Sequence, residues 1–152
     1  MKICLVSSHG GHLTELLRLM SAFKNHKVYL IVHKDDFTYN MRCDSISKYL
    51  IPVFFRLPLL LVDMIIISIY EIFFLVKERP NVIISTGAEI AIPIFILSKM
   101  FGIKTIYIES MARLNDISTT GKILIRIADI FLVQWVGLTT KYKKAKYAGK
   151  IL

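Results

Sequence analysis

Six consecutive residues, Ser7-Ser8-His9-Gly10-Gly11-His12, carry the first chemistry in this chain. They follow an apolar run, Ile3 to Val6, and precede Leu13, Leu16, Leu17, Met20 and Phe23, spaced as one buried stripe of a helix. Gly10 and Gly11 leave bare backbone N–H groups at the positive end of that helix's dipole, a setting that suits an anion, most often a phosphate. The His12 imidazole at the rim adds a donor, or a proton acceptor near neutral pH. A turn that only relieves steric strain would use the same glycines, and the dinucleotide spacing G-x-G-x-x-G is absent.

A second group of polar residues begins at Glu109-Ser110, which close a strand at the edge where such folds place ligand groups. Arg113 and Lys122 are able to hold phosphate, or to pair with Glu109 and Asp116. Thr119 or Thr120 is expected to cap a helix that starts at Gly121 or Lys122. From Leu138 onward Lys141, Lys143, Lys144, Lys146 and Lys150 stand without an acid, among Tyr142 and Tyr147 and before Ile151-Leu152. A basic run is usually a solvated face, but these aromatics and the apolar end suggest a docking segment over 137–152.

The elements that must position these groups follow from hydrophobic periodicity. Apolar, β-branched runs at Ile3–Val6, Val28–Val32, Ile51–Phe55, Val82–Ile84, Thr105–Ile108 and Ile130–Val133 read as strands. Helical stretches at 12–25, about 57–78, 88–101 and 119–128 lie between them. Strands apolar on both faces that alternate with helices give an α/β fold, a Rossmann-like parallel sheet covered on two sides. In the usual doubly wound order the first and fourth strands are neighbours where the winding reverses, so the loops Ser7–His12 and Ser85-Thr86-Gly87-Ala88-Glu89 should line one crevice.

A chain of 152 residues is one domain by size. Its apolar fraction of 55% and mean hydropathy of +0.56 are high for a soluble domain and point to a membrane or a large partner surface. The net charge of +9 calls for an anionic partner, either membrane lipid or a phosphorylated substrate. Nucleic acid is not expected, because no recognised motif is present. Cys4 and Cys43 form neither a disulfide framework nor a metal site, and no cofactor is expected. No signal peptide is visible, so a cytoplasmic, reducing location is expected.

The stretch from Phe54 to Val76 is long enough to span a bilayer. Arg56, Asp63 and Tyr70/Glu71 form a narrow polar stripe along it, and Asp63 near the middle would cost roughly 2.5–3.5 kcal/mol on insertion. A single crossing would also put the first strand and the one at Val82–Ile84 on opposite sides of the membrane. The segment is therefore expected to be a helix, with Pro58 as a breaking point, that lies in the interface or packs on the domain behind a wide apolar face.

Several motifs stand in a recognisable order: Ser8-His9-Gly10-Gly11-His12-Leu13, Ser85-Thr86-Gly87, Glu109-Ser110-x-Ala112-Arg113, Ser118-x-Thr120-Gly121-Lys122, Asp129, Gln134-Trp135 and Tyr142-x-x-Ala145-x-Tyr147-x-Gly149. The set resembles the oligosaccharide-biosynthesis family typified by the membrane-anchor subunit of the split N-acetylglucosaminyltransferase of dolichol-linked glycan synthesis. The closer likeness is to bacterial capsule and exopolysaccharide counterparts of the PssD/CpsF type. His9 departs from the family's small residue, which leaves open which imidazole faces the substrate, and Lys143 departs from its common proline. Eukaryotic members usually carry an additional membrane anchor before this region, so attachment is expected from the 54–76 helix and the basic surface.

The resemblance implies the N-terminal, acceptor-binding half of a GT-B glycosyltransferase whose UDP-sugar-binding catalytic half is a separate polypeptide. It implies transfer, with inversion, of a hexose unit to a polyprenyl-diphosphate-linked saccharide at the cytoplasmic membrane face. Ser8, Gly10, Gly11, His12, Thr86, Gly87 and Arg113 would then meet the acceptor, with His12 or secondly Glu109 as the base. Gln134, Trp135, Tyr142, Tyr147, Gly149, Ile151 and Leu152 would meet the partner subunit. A scaffold that only recruits the transferase to the bilayer is the alternative. A small nucleotide-binding oxidoreductase is disfavoured, because the second strand ends Val32-His33-Lys34 with Asp35 and Asp36 only beyond it.

Overall fold

The computed structural model describes residues 1–41, 46–52 and 60–151. Cys43, the Phe54, Arg56 and Pro58 end of the long apolar segment, and Leu152 lie outside the described residues.

Strands β1 (Lys2–Ser7), β2 (Lys27–His33), β3 (Ser47–Ile51), β4 (Val82–Ser85), β5 (Lys104–Ile108), β6 (Ile130–Val133) and β7 (Ala145–Tyr147) form one parallel sheet in the order β3-β2-β1-β4-β5-β6-β7. The winding reverses between β1 and β4, as the sequence implies, with Val6 opposite Ser85. Alternation along β1 divides the core. Ile3 and Leu5 pack with Leu13 and Leu16 of helix α1 (Gly11–Arg18) on one face. Cys4 and Val6 pack on the other, with Ile67, Phe74 and Leu75 of α3 (Leu60–Glu78) and Ile94 and Phe95 of α4 (Ala91–Met100). Helix α5 (Thr119–Ile127) joins that second face through Leu124.

Several boundaries differ from the periodicity reading. Helix α1 ends at Arg18 and tightens into a 3₁₀ turn over Leu19–Phe23, and α4 starts three residues later than expected, at Ala91. The third strand is Ser47–Ile51, starting four residues before the expected Ile51–Phe55, of which residues 53–55 lie outside the described residues. Its polar Lys48 is drawn in because the ammonium donates to the carbonyls of Thr38, Tyr39 and Met41, closing the end of a short helix α2 (Asp36–Asn40). That helix is built by a capping box, Asp35 accepting from the Thr38 N–H while the Thr38 hydroxyl accepts from Asp35. The expected docking tail folds onto the domain as α6 (Gly137–Lys141) and the edge strand β7. Lysines on an exposed edge strand discourage pairing with other chains, which is why β7 hides in a basic run.

Helix α3 turns most of its polar stripe toward the core. Asp63 and Glu71 face inward beside Ile67, Phe74 and Leu75, and Tyr70 stays at the surface. The outward face is apolar: Val62, Ile65, Ile69, Phe73 and Val76 are exposed. Among the described residues no helix is long and apolar enough to cross a membrane.

The Glu71 carboxyl is fully buried against Cys4 of β1, and neither of its oxygens has a hydrogen-bond partner among the described residues. Burial pushes its pKa well above the usual carboxylate value, so the neutral acid is the buried form. Such a group favours folding below its unfolded pKa and opposes it as pH rises through the native value. Glu71→Leu is therefore expected to raise stability by about 1–3 kcal/mol near neutral pH, the cost of one buried unpaired group. The gain should shrink toward acid pH, and urea denaturation from about pH 5 to about pH 9 measures it.

Candidate functional site

The glycine turn lies at the carboxyl edge of β1. Gly10 has φ 81° and ψ −143°, a conformation closed to other residues, and it starts α1 without any side-chain cap. A Cβ added at Gly10 or Gly11 would meet nothing within 4 Å, and no side chain caps the first-turn N–H groups. Ser8 beside them is half-buried, its hydroxyl donating to the His9 carbonyl.

His12 is fixed by the neighbouring loop. Its Nδ1 lies 3.0 Å from the Thr86 carbonyl oxygen, and the Thr86 hydroxyl donates back to the His12 carbonyl at 2.7 Å. A carbonyl only accepts, so Nδ1 carries the hydrogen, and in the neutral ring the lone pair is the one on Nε2. Gly87, at φ 136°, leaves room for this ring: a Cβ there would lie 2.8 Å from His12 Nδ1 and Cε1. Ala88 follows in the left-handed region at φ 77°, backbone strain of the kind that clusters at functional loops. The two loops expected to line one crevice thus lie side by side, joined through His12 and Thr86.

Glu109 lies behind the crevice, fully buried. Its carboxylate accepts from Ser110 N–H at 3.1 Å, Ser118 N–H at 3.0 Å and the Ser118 hydroxyl at 3.1 Å. Burial raises its pKa, and the Ser118 and Ser110 hydrogen bonds and the Arg113 charge oppose that rise. Ser118, rather than Thr119 or Thr120, caps α5: its hydroxyl accepts from Gly121 N–H at 2.9 Å. The cap falls one residue early because the Ser118 hydroxyl also meets Glu109 and the Tyr107 hydroxyl.

Arg113 is exposed on the loop that Glu109 anchors. Lys122 is taken up by Asp116 at 2.9 Å, which also meets Lys141 and the Tyr142 hydroxyl; these partners hold the Asp116 carboxyl far below its usual range.

Two side chains central to the site were not singled out by sequence. Glu15, one turn beyond His12 on α1, accepts from the Ser110 hydroxyl at 2.8 Å, Met111 N–H at 3.2 Å and Gln134 Nε2 at 3.1 Å. Its place three residues after His12 was the only available signal. His33 is buried at the end of β2 with Nδ1 3.5 Å from Glu89, while His9 meets Asp35 at 3.2 Å. Burial lowers the His33 pKa, with Glu89 opposing.

The candidate partner residues divide. Gln134 is buried, donating to Glu15 and the Glu109 carbonyl and accepting from Ile151 N–H at 2.8 Å. Trp135 donates to the Met111 carbonyl at 2.7 Å and lies under the Lys150 ammonium, while Tyr142 is tied to Asp116. Tyr147 is exposed on β7, and Gly149 turns the chain at φ 99°. Grooves of about 310 and 500 Å³ flank this edge, the first lined by Arg18, Gln134, Gly149 and Ile151, the second by Trp135, Val136, Tyr147 and Lys150.

Residues 57–151, more than half of the chain, match the family described as "Oligosaccharide biosynthesis protein Alg14 like". This chain belongs to the Alg14 family. Relatives named UDP-N-acetylglucosamine transferase subunit ALG14 extend the match. The one from Candida albicans is 30% identical over 99% of this chain and 78% of its own length, and that from Homo sapiens 30% over 100% and 83%. The Schizosaccharomyces pombe relative is 32% identical over 92% and 78%. The Alg14-like fold also recurs in solved structures. Acinetobacter baumannii MurG superposes with a TM-score of 0.75 at 13% identity, over 90% of this chain and 42% of that one. The UDP-GlcNAc 2-epimerase of Methanocaldococcus jannaschii gives 0.79 at 13%, over 99% and 47%. This chain thus spans less than half the length of either structure, and the likeness is one of fold.

Gly121 tests the anchoring of the candidate site most sharply. A Cβ there would lie 2.1 Å from Glu109 Oε2. Gly121→Ala is expected to expel the carboxylate and destabilise the fold by about 2–4 kcal/mol, a denaturant-midpoint measurement. Gly87→Ala is expected to displace His12 instead, shifting its ring resonances in NMR with a smaller loss of stability.

Proposed function

We propose that this chain is the acceptor-binding, membrane-associating subunit of a two-component UDP-sugar glycosyltransferase. A separate UDP-sugar-binding subunit would complete the active cleft, and a polyprenyl-diphosphate-linked saccharide would be extended at the cytoplasmic face of the membrane. Capsule or exopolysaccharide assembly of the PssD/CpsF type is the setting we favour, on the motif order given above. The observation that carries the reading is His12, held by Thr86 with Nε2 bare beside an uncapped glycine turn. Two findings support it: the relatives are named as transferase subunits, and the fold matches less than half of the MurG chain.

In this mechanism the N–H groups at Gly10 and Gly11, with Ser8 and Arg113, bind the acceptor diphosphate. As the acceptor hydroxyl oxygen bonds to the anomeric carbon of the donor sugar, the bond to UDP breaks on the opposite face and His12 Nε2 takes the hydroxyl proton. The Thr86 carbonyl orients the imidazole and stabilises the imidazolium that results. Glu109, with its oxygens engaged by Ser110 and Ser118, is a positioning residue for the loop that carries Arg113 rather than the base. The apolar face of α3 would rest on the bilayer, and Trp135, Tyr147, Gly149 and Ile151 would border the partner.

The test is transfer of radiolabelled sugar to membrane lipid by this chain co-expressed with its UDP-sugar-binding subunit. His12→Ala is expected to lower the rate about 10²–10⁴-fold, the usual contribution of a general base. Full activity in that variant would remove His12 from the chemistry. Full activity of a membrane-tethered partner without this chain would leave only a recruiting scaffold.

A further inference from the structure

The amino edge of the sheet, opposite the acceptor crevice, holds a second site. Leu75, Val76 and Arg79 at the end of α3, Pro80, and Phe101 and Ile103 after α4 enclose a groove of about 410 Å³. Arg79 is its one charged residue. Its backbone adopts φ 46°, in the left-handed region that favours glycine, while its N–H closes α3 on the Leu75 carbonyl at 2.9 Å. Among the described residues its guanidinium has no ion pair or hydrogen bond. Nearby acids are already engaged, Glu78 by Lys2 and Tyr49 and Asp129 by Lys99, so this end carries uncompensated positive charge from Arg79 and the exposed Lys104. Val76 and Phe101 of its lining are exposed, as are Phe73 on α3 and Ile96 and Met100 on α4, the two helices that end at the groove.

One unpaired guanidinium at the mouth of an apolar slot matches a ligand with one anionic group joined to hydrocarbon. We propose that this groove binds an anionic phospholipid of the bilayer, its phosphate on Arg79 and its glycerol and upper acyl segment against Val76, Phe101 and Ile103. The proposal rests on the membrane-associating reading above and adds a lipid selectivity to it. Helix α3 has 19 residues and so a length of about 28 Å. Lying flat, it would put the lipid groove and the acceptor crevice at its two ends on the same bilayer surface. An anionic lipid would then fix the protein's orientation there, where apolar contact alone leaves it free to turn.

Flotation with phosphatidylcholine vesicles, with and without phosphatidylglycerol, separates the outcomes. The intact chain is expected to favour the anionic vesicles. Arg79→Gln should cut that partition about fivefold, the value of one cation at a lipid surface, with an unchanged circular-dichroism melt. Lys24→Gln, an exposed charge on the α1 side of the sheet, should change it far less. An unaltered Arg79→Gln, or an equal loss in Lys24→Gln, overturns the site in favour of diffuse charge. Inorganic phosphate that abolishes the preference at matched ionic strength overturns the lipid as its ligand. Equal binding to both vesicles removes the groove and leaves the membrane reading standing, whereas binding to neither removes both.

Discussion

The Thr86 carbonyl is the contact on which the site depends. It reaches His12 because β1 and β4 are hydrogen-bonded neighbours at the reversal of the sheet, so the loops that leave them run side by side. Its acceptor-only chemistry selects the Nδ1–H tautomer and leaves Nε2 bare. The Thr86 hydroxyl binds back to the His12 carbonyl, so neither loop can shift without breaking two bonds. Gly87 is the geometric condition for that closeness, since any side chain there would occupy the volume of the ring.

A second layer of buried polar groups holds the rest of the crevice. Glu109 and Gly121 stand in the same relation as His12 and Gly87: a polar side chain pressed against a residue that has no Cβ. Glu15 and Gln134 join α1 to the loops after β5 and β6, each donor finding an acceptor. These groups are satisfied, so their burial rigidifies the site. Glu71 differs, a neutral acid whose two carboxyl oxygens find no hydrogen-bond partner among the described residues, on a helix whose other face is bare hydrocarbon. The fold tolerates that cost on the same helix that we assign to the membrane.

Much of this was legible in the sequence. Apolar runs and glycine turns located the sheet, its reversal point and the meeting of the Ser7–His12 loop with Thr86-Gly87, because these depend on local pattern and on the chirality of parallel crossovers. What was not legible depends on tertiary partners. Lys48 looked foreign to a strand because its acceptors are the carbonyls that end α2. Strand β7 was hidden by lysines that protect an edge, and Gln134 looked like a partner contact while its amide serves Glu15. The inward turn of Glu71 could not be read at all: periodicity gives the width of a helix's apolar face, but α3 is apolar nearly all round.

The bond between Gln134 and Glu15 joins residues 119 positions apart. On a ribosome the first helix is therefore complete long before the amide that will hold its carboxylate exists, an interval on the order of ten seconds. During that time a nascent chain carries a glycine turn and an unclamped acid, with half of its sheet still unmade. The crevice becomes rigid only when nearly the whole domain has emerged, so truncated translation products would carry the motif without the pocket.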